Sequence, residues 1–282
     1  MIPLIMALTS SVAYGVSDFV GGVASRRAPA IQVVLFSYPV SAILIAFVSL
    51  FVAGTPTPVS LLWGALSGAV MCAAMWAFYA SLAAGPMSVV SPLTAVIVTV
   101  VPVTVGIALG ERPSVLALSG IVVAVLAVVL VSREPSKKAQ GPKPVTLPVI
   151  GLTVVAGLAF ALSFVFTGQI PAGTGLWPLV LARCTASVLV LAIAFATRRA
   201  GRPEGRALVG AICVGGLDVI ANTAMLFAFQ NGTLSIGSAL IALYPAITVT
   251  LAILVLRERV ASWQIAGMVL AGTAIVIISL NA

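Results

Sequence analysis

The sequence predicts an all-α integral membrane protein, with ten transmembrane helices forming two inverted five-helix repeats. Three observations predict this fold. The 282-residue chain is 61% hydrophobic and 7% charged, with a mean hydropathy of +1.25. Its apolar runs reach the ~20 residues that cross a hydrocarbon core at about 1.5 Å per residue. One charged punctuation is also written twice: Glu111-Arg112 in "GIALGERPSVLALSG" and Glu258-Arg259 in "AILVLRERVASWQIAG". Fourteen basic and six acidic residues cannot clothe a soluble core of this size.

The spans follow in order. Ile2 to Ser25 ends at "RRAPA", Ile31 to Ala53 at "GTPTP", Val59 to Leu82 at "AAGPMS" and Val89 to Gly110 at "GERPS". Ser114 to Ser132 runs into the basic stretch "REPSKKAQGPKP". Pro148 to Ile170 ends at "PAGTG" and Gly175 to Thr197 at "RRAGRPEGR"; Ala207 to Phe229, Leu234 to Leu256 and Ser262 to Leu280 complete the set. Gly, Pro and polar clusters end helices, which explains each break. Lipid cannot satisfy a bare backbone, so open spans must be helical. They are also too long and too unalternating for barrel strands. The first span is long and lacks a basic flank, so no cleaved signal peptide is expected.

Sliding the chain by 147 residues places Gly85 on Gly232, Ser88 on Ser235, Ser91 on Ser238, Glu111 on Glu258, Gly120 on Gly267 and Ser132 on Ser279. A shift of 146 places Ala13-Tyr14 on Ala159-Phe160, Ser17 on Ser163 and Ser41 on Ser187. Residues 1–132 are therefore the first repeat, 133–147 a basic linker and 148–282 the second repeat. Because five crossings is an odd number, the second copy enters from the opposite face. The halves are then related by a twofold axis in the membrane plane, a common construction of secondary transporters with a site near the midplane.

Three segments resemble the drug/metabolite transporter superfamily, in its ten-helix branch with two EamA domains. "AYGVSDFVGG" is similar to the family's first-helix aromatic-Gly motif at Tyr14 and Gly15. "LVLARCTASVLVL" resembles its Leu-Arg signature at Arg183. "YPAITVTLAILVLRERVASWQIAGMVLAGTAIVI" resembles its ninth and tenth helices at Pro245, Glu258 and Gly267. The first copy departs from the pattern, with Val98 in register with Pro245, its own proline at Pro102, and Ser37 in register with Arg183. The two halves are thus expected to be less symmetric in function than in fold.

Each Glu-Arg pair closes one span just before the next. The expectation is a turn clamp, with Glu111 and Glu258 facing the N-terminus of the following helix, worth about 0.3–1 kcal/mol. Arg112 and Arg259 would meet the last carbonyls of the preceding one. The functional alternative is a gate latch on each membrane face.

Chemistry-bearing residues are few. There is no histidine, and Cys72, Cys184 and Cys213 share no ligand spacing, so neither a metal nor a disulfide framework is expected. The cysteines are expected as buried packing. No phosphate loop, dinucleotide fingerprint or hydrolytic triad is present, so the chain is read as a non-enzyme without cofactor. Asp18, Arg183 and Asp218 are the ionisable residues well inside spans, where each must line a cavity or find a partner. Depth makes Arg183 and Asp218 the nearer pair, which is either a structural salt bridge or a site for a substrate's carboxylate and amine. For Asp18 the alternatives are a proton carrier or a cap for a backbone break near Gly21-Gly22. Ser11, Tyr14 and Asp18 share one helix face, as do Gly215, Asp218 and Asn222. Trp76-Tyr79 and Phe160-Phe164 form aromatic strips, and Tyr244 precedes Pro245, whose missing N–H frees the Ile241 carbonyl. The Gly64–Gly68 pair is read as helix packing.

Tyr14, Asp18, Trp76, Tyr79, Phe160, Phe164, Arg183, Asp218, Asn222 and Tyr244 are accordingly the candidate substrate site of a secondary transporter. It would export small metabolites such as amino acids or amphipathic drugs by alternating access, as a monomer in the cell (inner) membrane, with protons as possible co-substrate. A channel or scaffold is the alternative, but the isolated polar residues make no continuous pore ring.

Twelve of the fourteen basic residues fall in the loops after spans one, five, seven and nine, which share one face. That face is expected in the cytoplasm, with both termini outside. The net charge of +8 is then a topology signal rather than a nucleic-acid patch. A single cysteine placed at Lys138, with Cys72, Cys184 and Cys213 removed, should resist impermeant maleimide in intact cells and label after permeabilisation. Labelling from outside would reverse the orientation.

Overall fold

The structure is a computed structural model that describes residues 1–133, 145–198, 201–258 and 260–280. Its helices are α1 (Ile2–Ser25), α2 (Ala30–Ser49), α3 (Pro58–Ala84), α4 (Met87–Ala108), α5 (Val115–Ser132), α6 (Leu147–Gly168), α7 (Trp177–Ala196), α8 (Gly205–Asn231), α9 (Leu234–Ile241), α10 (Tyr244–Leu256) and α11 (Ser262–Ser279). Ten stretches of these are long and apolar enough to cross a membrane, α9 and α10 together making the ninth.

Local chemistry sets the helix starts. Thr57 accepts a hydrogen bond from the Ser60 amide while Ser60 Oγ accepts from the Thr57 amide, a reciprocal cap on α3. Ser114 caps α5 through the Ala117 amide, and Thr233 caps α9 through Ile236. Prolines stand in the first turn of α1, α3, α6, α7 and α10, where no N–H is needed. The ninth span is broken rather than kinked: Ala242 and Leu243 separate α9 from α10, and Pro245 opens the new helix. In the first repeat α4 runs unbroken through Pro92 and Pro102.

The packing repeats when the halves are exchanged. α1 packs on α8 as α6 packs on α3, α2 on α8 as α7 on α3, and α4 on α6 as α10 on α1. The crossing of α5 with α11 shows the twofold most directly. A Cβ on Gly120 would strike Ile278, and a Cβ on Gly267 would strike Val131. The shift of 147 carries Gly120 to Gly267 and Val131 to Ile278. Each glycine therefore admits the register mate of the residue that the other admits. Gly64 and Gly68 lie against the Pro178 and Ala182 carbonyls, so α3 and α7 touch backbone to backbone.

The cysteine expectation is corrected for two of three residues. Cys72 is buried, but Cys184 and Cys213 are exposed on α7 and α8. In a bilayer the outside of a bundle is as apolar as its inside, so a small apolar side chain has no reason to be interior. Residues 134–144 of the linker and Arg259 lie outside the described residues.

Gly267→Val forces α11 off the Val131 backbone and should cost about 1–3 kcal/mol. Gly272→Val on the same helix meets nothing within 4 Å and should stay within about 0.5 kcal/mol. Thermal unfolding of the two variants in detergent measures the difference.

Candidate functional site

Arg183 sits about a third of the way along α7 and Asp218 midway along α8, at 4% and 8% exposure. Such burial in an apolar bundle demands full satisfaction of both charges. Arg183 Nε lies 2.8 Å from Asp218 Oδ2. Ser41 on α2 donates its hydroxyl to the same oxygen at 2.5 Å, and Asn222 Nδ2 donates to Oδ1 at 3.0 Å. The guanidinium also lies 5.4 Å from the centre of the Tyr38 ring. Asn222, one turn along α8, accepts from the Tyr14 hydroxyl at 3.0 Å through its amide oxygen. A chain of polar contacts thus joins α2, α7 and α8 to α1, linking the two halves at the midplane. A small cavity lined by Ser67, Ser163, Arg183 and Asn222 adjoins it.

Tyr38 and Ser41 were missed by sequence reasoning. Ser41 stood out only as a repeat marker, and Tyr38 is in register with Cys184. Being three residues apart on one face of α2, beside Ser37, was the available signal.

Asp18 behaves differently. It is exposed, and among the described residues it has no hydrogen bond or ion pair. Its carboxylate is within electrostatic reach of the Tyr14, Tyr79 and Tyr244 hydroxyls. The Tyr14 and Tyr244 rings stand 6.2 Å apart. α1 is continuous past Gly21 and Gly22, so the expected backbone break, and a capping role for Asp18, are absent. Tyr79 and Trp76 are 42% and 55% exposed, toward the same end of the bundle as Asp18.

Both rings of the strip on α6 pack on one core, with Phe160 half-buried at its edge, edge-on to Phe78 at 5.9 Å, and Phe164 buried within it against Phe229 at 6.2 Å. Gln and Asn contacts aside, bulky rings spaced at four residues satisfy a packing face as well as a pocket face, and here packing takes Phe164.

The turn-clamp expectation is corrected for the described residues of both pairs. Glu111 does not face α5, whose first turn Ser114 already caps. Its carboxylate crosses to the other half and accepts from the Leu234 amide at 2.6 Å, the Ser235 amide at 2.9 Å and the Ser235 hydroxyl at 2.5 Å. The start of α9 is buried, so its free amides need an acceptor that water cannot supply there. Gly106 makes the room, since a Cβ there would strike the Glu111 carboxylate. The register mate of Gly106 is Ile253, and Glu258 instead turns out to Arg26 at 2.5 Å. Gln264 serves the start of α11. Arg112 is exposed, with no partner among the described residues.

These contacts make the two ends unequal. At the charge-poor end α4 packs along α9, where every residue but Ile236 is buried. At the basic end no comparable contact joins α4 to α10, which has no buried residue.

The profile of the EamA-like transporter family matches residues 1–133 and again 147–280. No curated protein matched the chain. A protein solved by crystallography superposes over 99% of both chains with a TM-score of 0.80 at 12% identity, a likeness of fold alone.

Arg183→Met leaves Asp218 buried without its cation and should cost about 3–5 kcal/mol, with most of the loss recovered in Arg183→Met/Asp218→Leu. A double-mutant cycle by thermal unfolding reads this coupling.

Proposed function

Because the chain belongs to the EamA-like transporter family, we propose that it is a secondary transporter of small amphipathic metabolites, amino acids or drugs among them, working as an exporter by alternating access. The observation that carries this reading is Asp18: a carboxylate within a membrane-length helix that has no hydrogen bond or ion pair among the described residues, while the other two intramembrane charges neutralise each other. A lone intramembrane acid is costly unless it meets a cation in its working cycle. A proton and a substrate ammonium are the cations that suit it, and their competition for one carboxylate couples export to proton entry. Tyr79, Tyr244 and Trp76 supply aromatic faces for the apolar part of the substrate and for its cation.

The same reading assigns Arg183, Asp218, Asn222 and Tyr14 to the wall of this site. With the Arg183 guanidinium already engaged by Asp218, the reading assigns the pair to tethering α7 to α8, both of which pack on α2, rather than to the substrate. The clasp of Glu111 on α9 serves as the gate at the charge-poor end, and Glu258 with Arg26 as a weaker, solvent-exposed latch at the other. The unequal packing of α4 on α9 and α10 supports a site accessible from the basic end, which the charge rule places in the cytoplasm of a cell membrane. This is the state that loads an exporter.

Proteoliposomes with an imposed pH gradient test the assignment against a panel of amino acids and amphipathic cations. Asp18→Asn keeps size and hydrogen bonding but removes titration. It should abolish gradient-driven transport by at least about tenfold while sparing counterflow exchange. Gradient-driven transport that survives in this variant would place the coupling elsewhere.

A further inference from the structure

A second feature lies away from the central site, on the outer side of the α1–α8 pair. A groove of about 330 Å³ opens there, its floor made by Val20, Val23, Val209 and Cys213 and its mouth flanked by Arg27 and Arg206. At about 100° per residue, Val20, Val23 and Arg27 lie on the face of α1 opposite Asp18 and Tyr14. Val209, Cys213 and Arg206 likewise lie on the face of α8 opposite Asp218 and Asn222. The groove therefore faces away from the space between the repeats and toward the bilayer.

Depth and charge select the occupant. Arg27 stands just beyond the end of α1, and Arg206 in the first turn of α8, so both guanidiniums are at the same membrane surface. Cys213 and Val20 lie seven residues further in, about 10 Å deeper at 1.5 Å per residue. Both arginines are exposed, and neither has a hydrogen bond or ion pair among the described residues. Glu204, the nearest acid in sequence, is bonded to neither. An apolar slot that begins in the hydrocarbon and ends under two free cations at the headgroup level matches one molecule of the membrane. The upper part of one of its acyl chains fits the slot, and its phosphate would sit at the level of the two guanidiniums. We propose that this groove binds an anionic phospholipid of the leaflet at the basic face. The site is independent of the transport reading, since neither Asp18 nor the Arg183–Asp218 pair lines it.

A zwitterionic lipid carries the same phosphate with a compensating ammonium, so two arginines should favour the anionic lipid by about tenfold. The measurement is native mass spectrometry of the purified protein titrated with equimolar phosphatidylglycerol and phosphatidylcholine of identical chains. A parallel reading is the maleimide labelling rate of Cys213 in a Cys72→Ala/Cys184→Ala background, with either lipid in the micelle. The expected result is preferential retention of phosphatidylglycerol and a labelling rate at Cys213 slowed severalfold by that lipid alone. Arg27→Gln/Arg206→Gln should remove the preference, and Val209→Trp should remove binding by filling the slot with both arginines intact. Arg112→Gln, on the other face, should change neither. Equal retention and equal protection by the two lipids would overturn the proposal, as would an unchanged preference in Arg27→Gln/Arg206→Gln or protection of Cys213 by inorganic phosphate alone.

Discussion

The buried ion pair between Arg183 and Asp218 is the contact on which the middle of the molecule depends. Neither charge is tolerable alone among apolar helices, and one bond between them leaves donors and acceptors over. The surplus recruits the neighbours: Ser41 from α2, Asn222 from the next turn of α8, and through Asn222 the Tyr14 hydroxyl of α1. Four helices from both repeats are thereby fixed around one pair. Without that network, α1 would be held to α8 at this depth only by packing and by the hydroxyl of Ser10 on the Ala221 carbonyl. Apolar packing in lipid is weakly directional, because the solvent is as apolar as the side chains.

The same rule explains the ends. A helix that starts inside the protein has amides that water cannot reach, and α9 is such a helix. Glu111 answers it from the opposite repeat, with Gly106 leaving space for the carboxylate. Its partner by register, Glu258, has Ile253 where Gly106 stands, and lies outward on Arg26. One end is therefore bonded across the repeats by a multidentate carboxylate, and the other carries an exposed pair of little energetic weight. Two copies of one fold thus supply unequal contacts at the two ends.

Symmetry and chemistry are divided between different residues. The residues that keep the twofold are small: Gly120 and Gly267 exchange partners at the α5–α11 crossing with no loss of register. The residues that break it carry the polar chemistry. Arg183 answers to Ser37, and Tyr38 to Cys184. The backbone contacts keep the repeat, and the buried polar network lies where the two copies differ.

Sequence alone determined the ten spans, their two repeats and the basic face, because span length, helical period and loop charge are local properties that lipid reads directly. It also singled out Asp18, Arg183 and Asp218, since an ionisable group in an apolar run is conspicuous wherever it points. Tertiary structure alone decided their partners. Which acid Arg183 meets depends on where α2 and α3 hold α7 relative to α8, and the seat of α7 on α3 is set by backbone contact at small residues, Gly64 and Gly68, which carry no polar signal. The same holds for Glu111. Its spacing from Ser114 suggested a cap on the next helix, but Ser114 occupied that place, and the free amides that remained belonged to a helix more than 120 residues away in sequence. Phe164 went to the core and Tyr79 to the open end for the same reason: periodicity names a face, and only the neighbouring helices determine what that face meets.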